Sequence, residues 1–294
     1  MWGRPRSAGP APPVRRVGDA FSLADPGAAD RSHTLLRMDI PRNAFKRALH
    51  DSARLVGLWH SIGHAAVTEI LADAPLDWIL IDTEHAPNEV AQVADTLRAL
   101  AGSRVAPVVR PAWNDPVLFK RLLDVGAQSL LVPYVQSPEE AARAVAAVRY
   151  PPRGVRGVAS THRANRYGRV QDYFGRADAE MCVLVQLETR ASVDALESIA
   201  AVDGVDGVFI GPSDLSASLG FLGEPRHPEV RRVIEDACRR ARAVGKPIGI
   251  LAPVEEDAAA WFAMGFAFVA VGGDILCLRK AVDALAERFR QVRA

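Results

Sequence analysis

The chain has 294 residues, of which 49% are hydrophobic, and its formal net charge is +1. A chain of this length and apolar content can bury a full core as one large domain or two small ones. The near-zero net charge gives no electrostatic reason to expect nucleic acid or an anionic membrane as a partner. We therefore expect a globular protein whose partner is neither nucleic acid nor membrane.

The three cysteines, Cys182, Cys238 and Cys277, are far apart and form no CxxC pair. This pattern supports neither a disulfide framework nor a thiolate zinc site, and a cytoplasmic location fits it best. Residues 1–37 are rich in Pro, Ala, Arg, Gly and Asp, show no regular period and lack the apolar core of a signal peptide. We predict that they form a disordered extension, or that the native protein starts at Met38.

From about residue 44 onward, short β-branched apolar runs alternate with amphipathic segments of helical length. The strand-like runs are 54–59, 77–82, 106–111, 129–135, 182–188, 206–211, 246–252 and 266–273. The helix-like segments between them include 88–101, 115–125, 139–149, 190–200, 228–244 and 255–264. Eight continuous apolar strands followed by helices predict a parallel sheet covered by helices. We therefore predict an α/β fold, a (β/α)8 TIM barrel that spans residues 38–294 as a single domain.

Four polar residues lie at the predicted C-terminal ends of strands, where barrels of this kind carry their chemistry. His85 follows the second strand and Arg110 ends the third. Glu188 ends the fifth strand and Asp214 follows the sixth. A helix cap or a surface ion pair explains any one of them, but their convergence on one face predicts a site for a small molecule.

Glu188 and Asp214 are candidate metal ligands, because a carboxylate directly after an apolar strand is costly to bury without a partner. Two carboxylates without a Cys or His partner favour Mg²⁺ or Mn²⁺ over Zn²⁺, with Co²⁺ as a further option. A 2-oxo acid would fit the open positions of such a site. The alternative for Asp214 is the cap of a helix that begins near Leu215.

Arg110 offers a planar fork suited to an oxygen on which negative charge develops, and its alternative is an ion pair at the barrel rim. His85 is a histidine, the residue type that most often serves as a general base. Asp82, three residues earlier, is placed to accept the second N–H of the His85 ring. Such a His–Asp dyad predicts a base for proton transfer.

The four lysines, Lys46, Lys120, Lys246 and Lys280, precede the barrel, open a strand or fall in helices. A Schiff-base aldolase needs a lysine inside the barrel at the C-terminal side of a strand. Imine catalysis is therefore disfavoured.

Several blocks of the sequence, taken in chain order, match the pattern of a known family. They are "GLW" at 57–59, "DWILIDTEHAPNE" at 77–89, "VVRPAWNDP" at 108–116, "LLDVGAQSLLVPYVQ" at 122–136, "RYPPRGVRGV" at 149–158, "MCVLVQLET" at 181–189 and "GVDGVFIGPSDLSASLG" at 204–220. Together they resemble the metal-dependent pyruvate aldolases, which include 4-hydroxy-2-oxoheptanedioate and 2-dehydro-3-deoxyglucarate aldolases. The resemblance extends from about Met38 to the C-terminus. It implies reversible aldol cleavage of a 4-hydroxy-2-oxo acid to pyruvate and an aldehyde.

The resemblance also implies roles for the residues at the strand ends. Glu188 and Asp214 would bind the metal. Arg110 would bind the keto oxygen of pyruvate and stabilise the enolate. His85, oriented by Asp82, would be the base that acts on the 4-hydroxyl of the substrate.

Further substrate contacts implied by the resemblance are Trp59, Gln186 beside the metal, and the backbone amides of Ser213 and Asp214 on the pyruvate carboxylate. The resemblance also implies a homo-oligomer, either a hexamer or a trimer. In such an assembly the helix at 275–292 would pack on a neighbouring barrel.

The match breaks in two places. His60 and His64 stand where such aldolases usually carry small or apolar residues, and the segment 159–170 is unusual. We expect both places to face the aldehyde half of the substrate, so the identity of the aldehyde stays open. The long stretch 151–180 is expected to be a functional loop, and Glu84 has no assigned role.

Two other functions compete with aldol cleavage. One is a carbon–carbon lyase acting on an acyl thioester such as malyl-CoA or citramalyl-CoA, which needs a wide basic groove for the nucleotide. The other is a non-catalytic barrel that binds a phosphorylated ligand through "VGGD" at 271–274. A phosphate binder has no use for Glu188 and Asp214.

Overall fold

The computed structural model describes residues 38–293, so the predicted extension at 1–37 lies outside the described residues. Eight parallel strands form a closed barrel in which each strand pairs with the next and the last pairs with the first. The prediction of a (β/α)8 TIM barrel is confirmed. Among the described residues, no helix is long and apolar enough to cross a membrane.

The elements follow one another in strict alternation along most of the chain. The strands are β1 (Leu55–His60), β2 (Trp78–Asp82), β3 (Ala106–Arg110), β4 (Ser129–Val132), β5 (Cys182–Leu187), β6 (Gly207–Ile210), β7 (Ile248–Leu251) and β8 (Phe268–Gly273). The helices are α1 (Ala44–His50), α2 (Ala65–Ala72), α3 (Val90–Ala99), α4 (Pro116–Asp124), α5 (Pro138–Val148), α6 (Tyr173–Arg176), α7 (Arg190–Asp194), α8 (Leu196–Ala200), α9 (Pro212–Ser218), α10 (Pro228–Ala243), α11 (Glu255–Met264) and α12 (Asp274–Arg293).

Each of the eight predicted runs overlaps one strand of the barrel. The pattern does not predict α1 and α2, because their 7 and 8 residues are too short to display a helical period. The segment predicted as one helix at 190–200 is two helices, which meet at Ala195.

A column of aromatic rings fills the barrel from its N-terminal end to its C-terminal mouth. Phe45 of α1 closes the N-terminal end, where its ring centroid lies 5.7 Å from those of Trp78 and Phe268. Phe209 contacts Phe268 on one side and Trp59 on the other, each with a centroid distance of 5.8 Å. Trp59 lies near the end of β1, so the column forms the floor of the mouth.

The segment 151–180 lies at the N-terminal end of the barrel, and this corrects the expectation about residues 159–170. Arg163 donates to the carbonyl oxygens of Val125 and Leu97, which belong to the ends of helices that precede strands. The segment 159–170 therefore does not border the aldehyde half of the site. The reason is topological: a segment between a helix and the next strand lies opposite the face that carries the chemistry.

Glycine at position 57 makes room for the aromatic column, and its replacement tests this packing. A Cβ on Gly57 would lie 2.1 Å from the Trp78 ring, which is fully buried. We expect Gly57→Ala to lower the free energy of unfolding by about 1–3 kcal/mol in urea titrations. Gly272→Ala is the control, because the nearest atom to its Cβ is Leu58 Cδ1 at 3.6 Å. An equal loss in both variants would show that the Trp78 contact does not matter.

Candidate active site

Asp82 and Arg110 form a buried bidentate ion pair at the ends of two neighbouring strands. The two residues are partners in the register of β2 and β3. Arg110 Nε donates to Asp82 Oδ1 at 2.9 Å, and Nη2 donates to Oδ2 at 2.7 Å. Burial opposes ionisation of Asp82, but the hydrogen bonds and charge of Arg110 outweigh it and hold the pKa of Asp82 below its usual value. Asp82 is therefore an ionised group that fixes the plane of the guanidinium.

The predicted contact between Asp82 and the ring of His85 is wrong. Asp82 Oδ1 accepts the backbone N–H of His85 at 3.4 Å, and within residues 38–293 no hydrogen bond joins the His85 ring to Asp82. Arg110 reaches both carboxylate oxygens from the adjacent strand, and this was not visible in the spacing along the chain. The His85 ring is exposed and lines the mouth of the barrel.

Two further groups hold the Arg110 guanidinium in place. Nη1 lies 2.9 Å from Glu84 Oε2, and the guanidinium carbon lies 5.0 Å from the centre of the Trp59 ring. Burial raises the pKa of Glu84 against the opposing charge of Arg110. A guanidinium carries five N–H groups, so its outer edge keeps donors for an oxygen in the mouth.

Glu188 is buried at the end of β5 and held from two sides. Its Oε2 accepts the backbone N–H of Tyr134 at 2.8 Å, and its Oε1 accepts the side-chain amide of Gln186. Tyr134 has a φ of 55°, a left-handed conformation that aims this N–H at the carboxylate. A Cβ on Gly211 would lie 2.7 Å from Glu188 Oε1, so this position requires glycine.

Ser213 and Asp214 lie in the first turn of α9 at the end of β6. The N-cap of α9 is Gly211, and the helix begins before the predicted position near Leu215. Asp214 is therefore not the capping residue, and the alternative reading as a helix cap does not hold. Both Ser213 and Asp214 are exposed to the mouth.

These side chains surround one cavity of about 160 Å³ at the C-terminal mouth. It is lined by Trp59, His85, Arg110, Gln186, Glu188, Phe209, Gly211, Pro212, Ser213, Asp214 and Leu251. Every predicted site residue lines it except Asp82, which lies behind Arg110. The convergence predicted from the strand ends is thus present in the structure.

The donor set of the cavity fits a hard divalent cation. Burial and the neighbouring charges of Glu84 and Asp214 raise the pKa of Glu188 to about 7, although Gln186 and Tyr134 oppose them, and a cation would reverse that repulsion. Gln186 Oε1 is buried without a hydrogen-bond partner in the described chain. In residues 38–293 no three His, Cys, Asp or Glu side chains are grouped to hold a metal, so a cation would take two carboxylates and fill its other positions with water or substrate.

His60 and His64 do not reach the cavity, which corrects a second expectation about the aldehyde half. His60 is fully buried behind the end of β1. The ring of His64 accepts the backbone N–H of Ala66 and caps α2. Both ring nitrogens of His60 have partners within the protein, whereas the ring of His64 is exposed.

No lysine lines the cavity. Lys46 Nζ donates to the carbonyl oxygen of Met181, and Lys246 Nζ donates to that of Val205, both beside the starts of strands. Lys120 and Lys280 lie on outer helices. Their positions agree with the expectation against an imine mechanism.

Tyr134 and Gly211 are residues of the site that were not predicted from the sequence. Tyr134 contributes a backbone N–H, which no residue type reveals. Gly211 had a signal, because a glycine between a strand and a Pro at the start of a helix marks a close approach.

The fold and the cavity define an enzyme of the (β/α)8 barrel class with a carboxylate and guanidinium site. The sequence profile described as HpcH/HpaI aldolase/citrate lyase matches residues 55–281. The chain belongs to this family and is a carbon–carbon lyase.

Curated relatives agree with the assignment. The chain is 54% identical to a pyruvate aldolase of Rhizobium etli over 252 residues, which cover 86% of this chain and 99% of the relative. It is 53% identical to a 4-hydroxy-2-oxo-heptane-1,7-dioate aldolase of Salmonella dublin, with 84% and 95% covered. A crystal structure of a family member from Burkholderia cenocepacia superposes with a TM-score of 0.81 at 40% identity and covers 86% of this chain and 100% of that one.

Removal of the Asp82 charge tests the ion pair. Asp82→Asn removes the bidentate counter-charge of the buried Arg110 guanidinium and leaves Glu84 as its carboxylate neighbour, so we expect a loss of about 3–5 kcal/mol in the free energy of unfolding at neutral pH. The lowered pKa of Asp82 means that its ionised form stabilises the fold above the ordinary Asp pKa, and that this contribution is lost as the pH falls through the folded-state value.

Urea titrations from neutral pH down to about pH 3 should therefore show a weaker acid dependence in Asp82→Asn than in the wild type. Asp203→Asn is the control, because Asp203 pairs with Arg149 on the surface and such pairs contribute little. Identical acid dependence in the wild type and Asp82→Asn would contradict the ionised state of Asp82.

Proposed function

We propose that the protein reversibly cleaves a 4-hydroxy-2-oxo acid to pyruvate and an aldehyde with the help of a divalent metal ion. The proposal rests on one observation. Arg110, which Asp82 holds in place, lines the same small cavity as Glu188 and Asp214. A guanidinium and a pair of carboxylates are the groups needed to hold a 2-oxo acid whose oxygen gains charge during cleavage. The names of the relatives, which include a 5-keto-4-deoxy-D-glucarate aldolase of Enterobacter, support the same substrate class.

Glu188 and Asp214 are proposed to hold the cation, for which Mg²⁺, Mn²⁺ and Co²⁺ are the candidates. When bound, the cation supplies Lewis-acid polarisation of the 2-oxo group. Gln186 holds one oxygen of Glu188 and thus orients this carboxylate. The left-handed backbone of Tyr134 holds the other.

The remaining groups of the cavity are proposed to bind the substrate. The outer edge of Arg110 donates to the keto oxygen and stabilises the negative charge of the enolate. The backbone N–H groups of Ser213 and Asp214 in the first turn of α9 bind the pyruvate carboxylate. Trp59 lies beside Arg110 at the top of the aromatic column and packs against the substrate.

His85 is proposed to take the proton of the 4-hydroxyl as the carbon–carbon bond opens. Its exposed position in the lining of the mouth supports this role. Since Asp82 braces Arg110, Asp82 is a positioning residue and not part of a dyad with His85.

The competing functions are less well supported. The phosphate position at 271–274 ends in Asp274, whose carboxylate already accepts the backbone N–H groups of Ser61 and Ile62. A phosphate there would meet a negative charge instead of free donors. The cavity of about 160 Å³ suits a short oxo acid, whereas an acyl thioester would extend far beyond it.

The direct experiment is a screen of the purified protein for pyruvate release from a panel of 4-hydroxy-2-oxo acids. The panel should include 4-hydroxy-2-oxoheptanedioate, 2-dehydro-3-deoxy sugar acids and, as the competing class, citramalyl-CoA. Metal-dependent release from a 4-hydroxy-2-oxo acid is expected. Cleavage of the thioester alone would overturn the proposal.

Removal of either proposed ligand should abolish metal-dependent cleavage. Glu188→Gln and Asp214→Asn each take one anion from a site that has two, so we expect both to lose Mn²⁺ binding in calorimetry. After chelation with EDTA, Mn²⁺ should restore pyruvate release to the wild type but not to these variants. Glu229→Gln, which removes an exposed carboxylate of α10, is the control. Full recovery by either ligand variant would refute the assignment.

The base role predicts a separate kinetic defect. His85→Ala should reduce kcat for cleavage by about 10²- to 10⁴-fold, the range expected for loss of a general base. Mn²⁺ affinity and the far-UV spectrum should stay at wild-type values, because the His85 ring makes no hydrogen bond within the described residues that supports the fold. Wild-type cleavage by His85→Ala across the pH range would rule out the role.

We further propose a homo-oligomer, a hexamer or a trimer, in which α12 packs on a second copy of the chain. One side of α12 carries apolar residues at alternating intervals of three and four, a pattern typical of helix pairing. These residues are all about half exposed or more: Ile275 at 55%, Leu278 at 57%, Val282 at 54%, Leu285 at 49%, Phe289 at 60% and Val292 at 77%. A monomer would leave the whole stripe in water.

A charge within the stripe tests this assembly. Leu278→Asp with Leu285→Asp should convert the protein to a smaller species in light scattering coupled to gel filtration, because a carboxylate is costly to bury in an apolar contact. Ala284→Asp, on a different side of α12, should leave the mass unchanged. A monomeric wild type would contradict the proposal.

For location we propose the reducing cytoplasm. Cys182 and Cys238 are buried and Cys277 is exposed, and all three are free thiols.

A further inference from the structure

His60 occupies a closed polar site outside the cavity. Its ring is fully buried between α2 and the start of α12. Nδ1 lies 2.8 Å from Asp274 Oδ2, and Nε2 lies 2.9 Å from Thr68 Oγ1. Nothing in the proposed chemistry uses this arrangement.

The hydrogen bonds around the ring decide where its protons are. The Thr68 hydroxyl lies 3.2 Å from the carbonyl oxygen of His64, and when it donates to that oxygen it accepts from Nε2 of His60. On the other side Asp274 is a carboxylate that already accepts backbone N–H groups. In that arrangement both ring nitrogens of His60 donate, and an imidazole with two N–H groups is the charged form.

Asp274 is well suited to be the counter-charge. Burial opposes its ionisation, but His60 and the backbone N–H groups of Ser61, Ile62 and Ile275 outweigh burial and lower the pKa of Asp274. A buried ion pair is tolerated when its remaining polar atoms are satisfied, and here each of them has a partner.

The pair is linked to the active site by a short chain of hydrogen bonds. Asp274 holds the N–H groups of Ser61 and Ile62, which begin the loop after β1. The Asn88 amide donates to the carbonyl oxygen of Ser61 at 3.3 Å and to that of Asp82 at 2.8 Å. Asp82 in turn fixes the guanidinium of Arg110.

The loop is packed closely against Asn88. Gly63 has a φ of +64°, and a Cβ there would lie 1.8 Å from Asn88 Oδ1. A shift of the loop would therefore move Asn88 and, with it, the end of β2.

We propose that His60 is a buried imidazolium paired with Asp274, and that this pair positions the Asp82–Arg110 unit through the loop 61–63 and Asn88. His60 and Asp274 touch neither substrate nor metal, so they are positioning residues. The activity readout rests on the proposed aldol cleavage, whereas the protonation state of His60 does not.

The protonation state is measured on the wild type. Two-bond proton–nitrogen NMR correlations at neutral pH should show both ring nitrogens of His60 protonated, with the signal assigned by its loss in His60→Gln. A neutral ring, with the Thr68 hydroxyl turned to donate to Nε2, would overturn the ion pair.

The positioning role is measured by kinetics. Asp274→Asn should lower kcat by about 10- to 100-fold, because small displacements of a catalytic group cost this much, with little change in KM at temperatures where circular dichroism shows a folded protein. Thr68→Val should follow it, since it removes the acceptor of Nε2, while Thr68→Ser keeps the hydroxyl and should stay near the wild type. The control is Asp257→Asn, which breaks a pair with Arg226 at the same end of the barrel but away from this loop.

The possible results distinguish a failure of the positioning role from a failure of the proposed function. Unchanged kcat in folded Asp274→Asn and Thr68→Val overturns the positioning role, and equal losses in Thr68→Ser and Thr68→Val do the same. An inactive wild type with a doubly protonated His60 refutes the proposed function instead. If the Asp274 variant does not fold, the Thr68 pair and the NMR measurement still decide.

Discussion

A bidentate ion pair between neighbouring strands sets the geometry of this site. Because Asp82 and Arg110 are register partners in β2 and β3, the guanidinium is gripped along one edge and presents the other edge to the mouth. Trp59 and Glu84 hold it from further directions. An arginine left to itself would sample many rotamers and would lose that freedom on binding substrate. Here the ordering cost is met during folding, so the donors are in place before a ligand arrives.

Small residues allow large groups to approach one another throughout the barrel. Gly57 lies under the Trp78 ring, and Gly249 lies under the Phe268 ring, where a Cβ would come within 2.3 Å. Gly211 has the same function for the Glu188 carboxylate. The aromatic column thus limits the depth of the cavity, and the glycine beside Glu188 lets two carboxylates and a guanidinium share its walls. The packed aromatic rings therefore lie directly beneath the polar residues of the cavity.

The parts of the molecule that repeat along the chain were predictable, and the parts that depend on neighbouring strands were not. Strand runs, most longer helices and the four strand-end residues follow from periodicity and barrel topology. The partner of Asp82 did not follow, because Arg110 is distant in sequence and His85 is near. His60 was misplaced for the same reason, since Asp274 and Thr68 reach it from other elements. The location of 159–170 could have been derived, because it connects a helix to a strand.

We propose that Arg110, held in place by Asp82, stabilises negative charge on the oxygen of pyruvate. Exchange of the methyl protons of pyruvate with deuterated solvent reports this step separately from cleavage of the carbon–carbon bond. The exchange is followed by NMR in a buffer that contains Mg²⁺ and no Mn²⁺. We expect exchange by the wild type and a loss on the order of 10²-fold or more in folded Arg110→Lys, because an ammonium group cannot reproduce the planar fork of donors. Exchange at the wild-type rate in Arg110→Lys would contradict it.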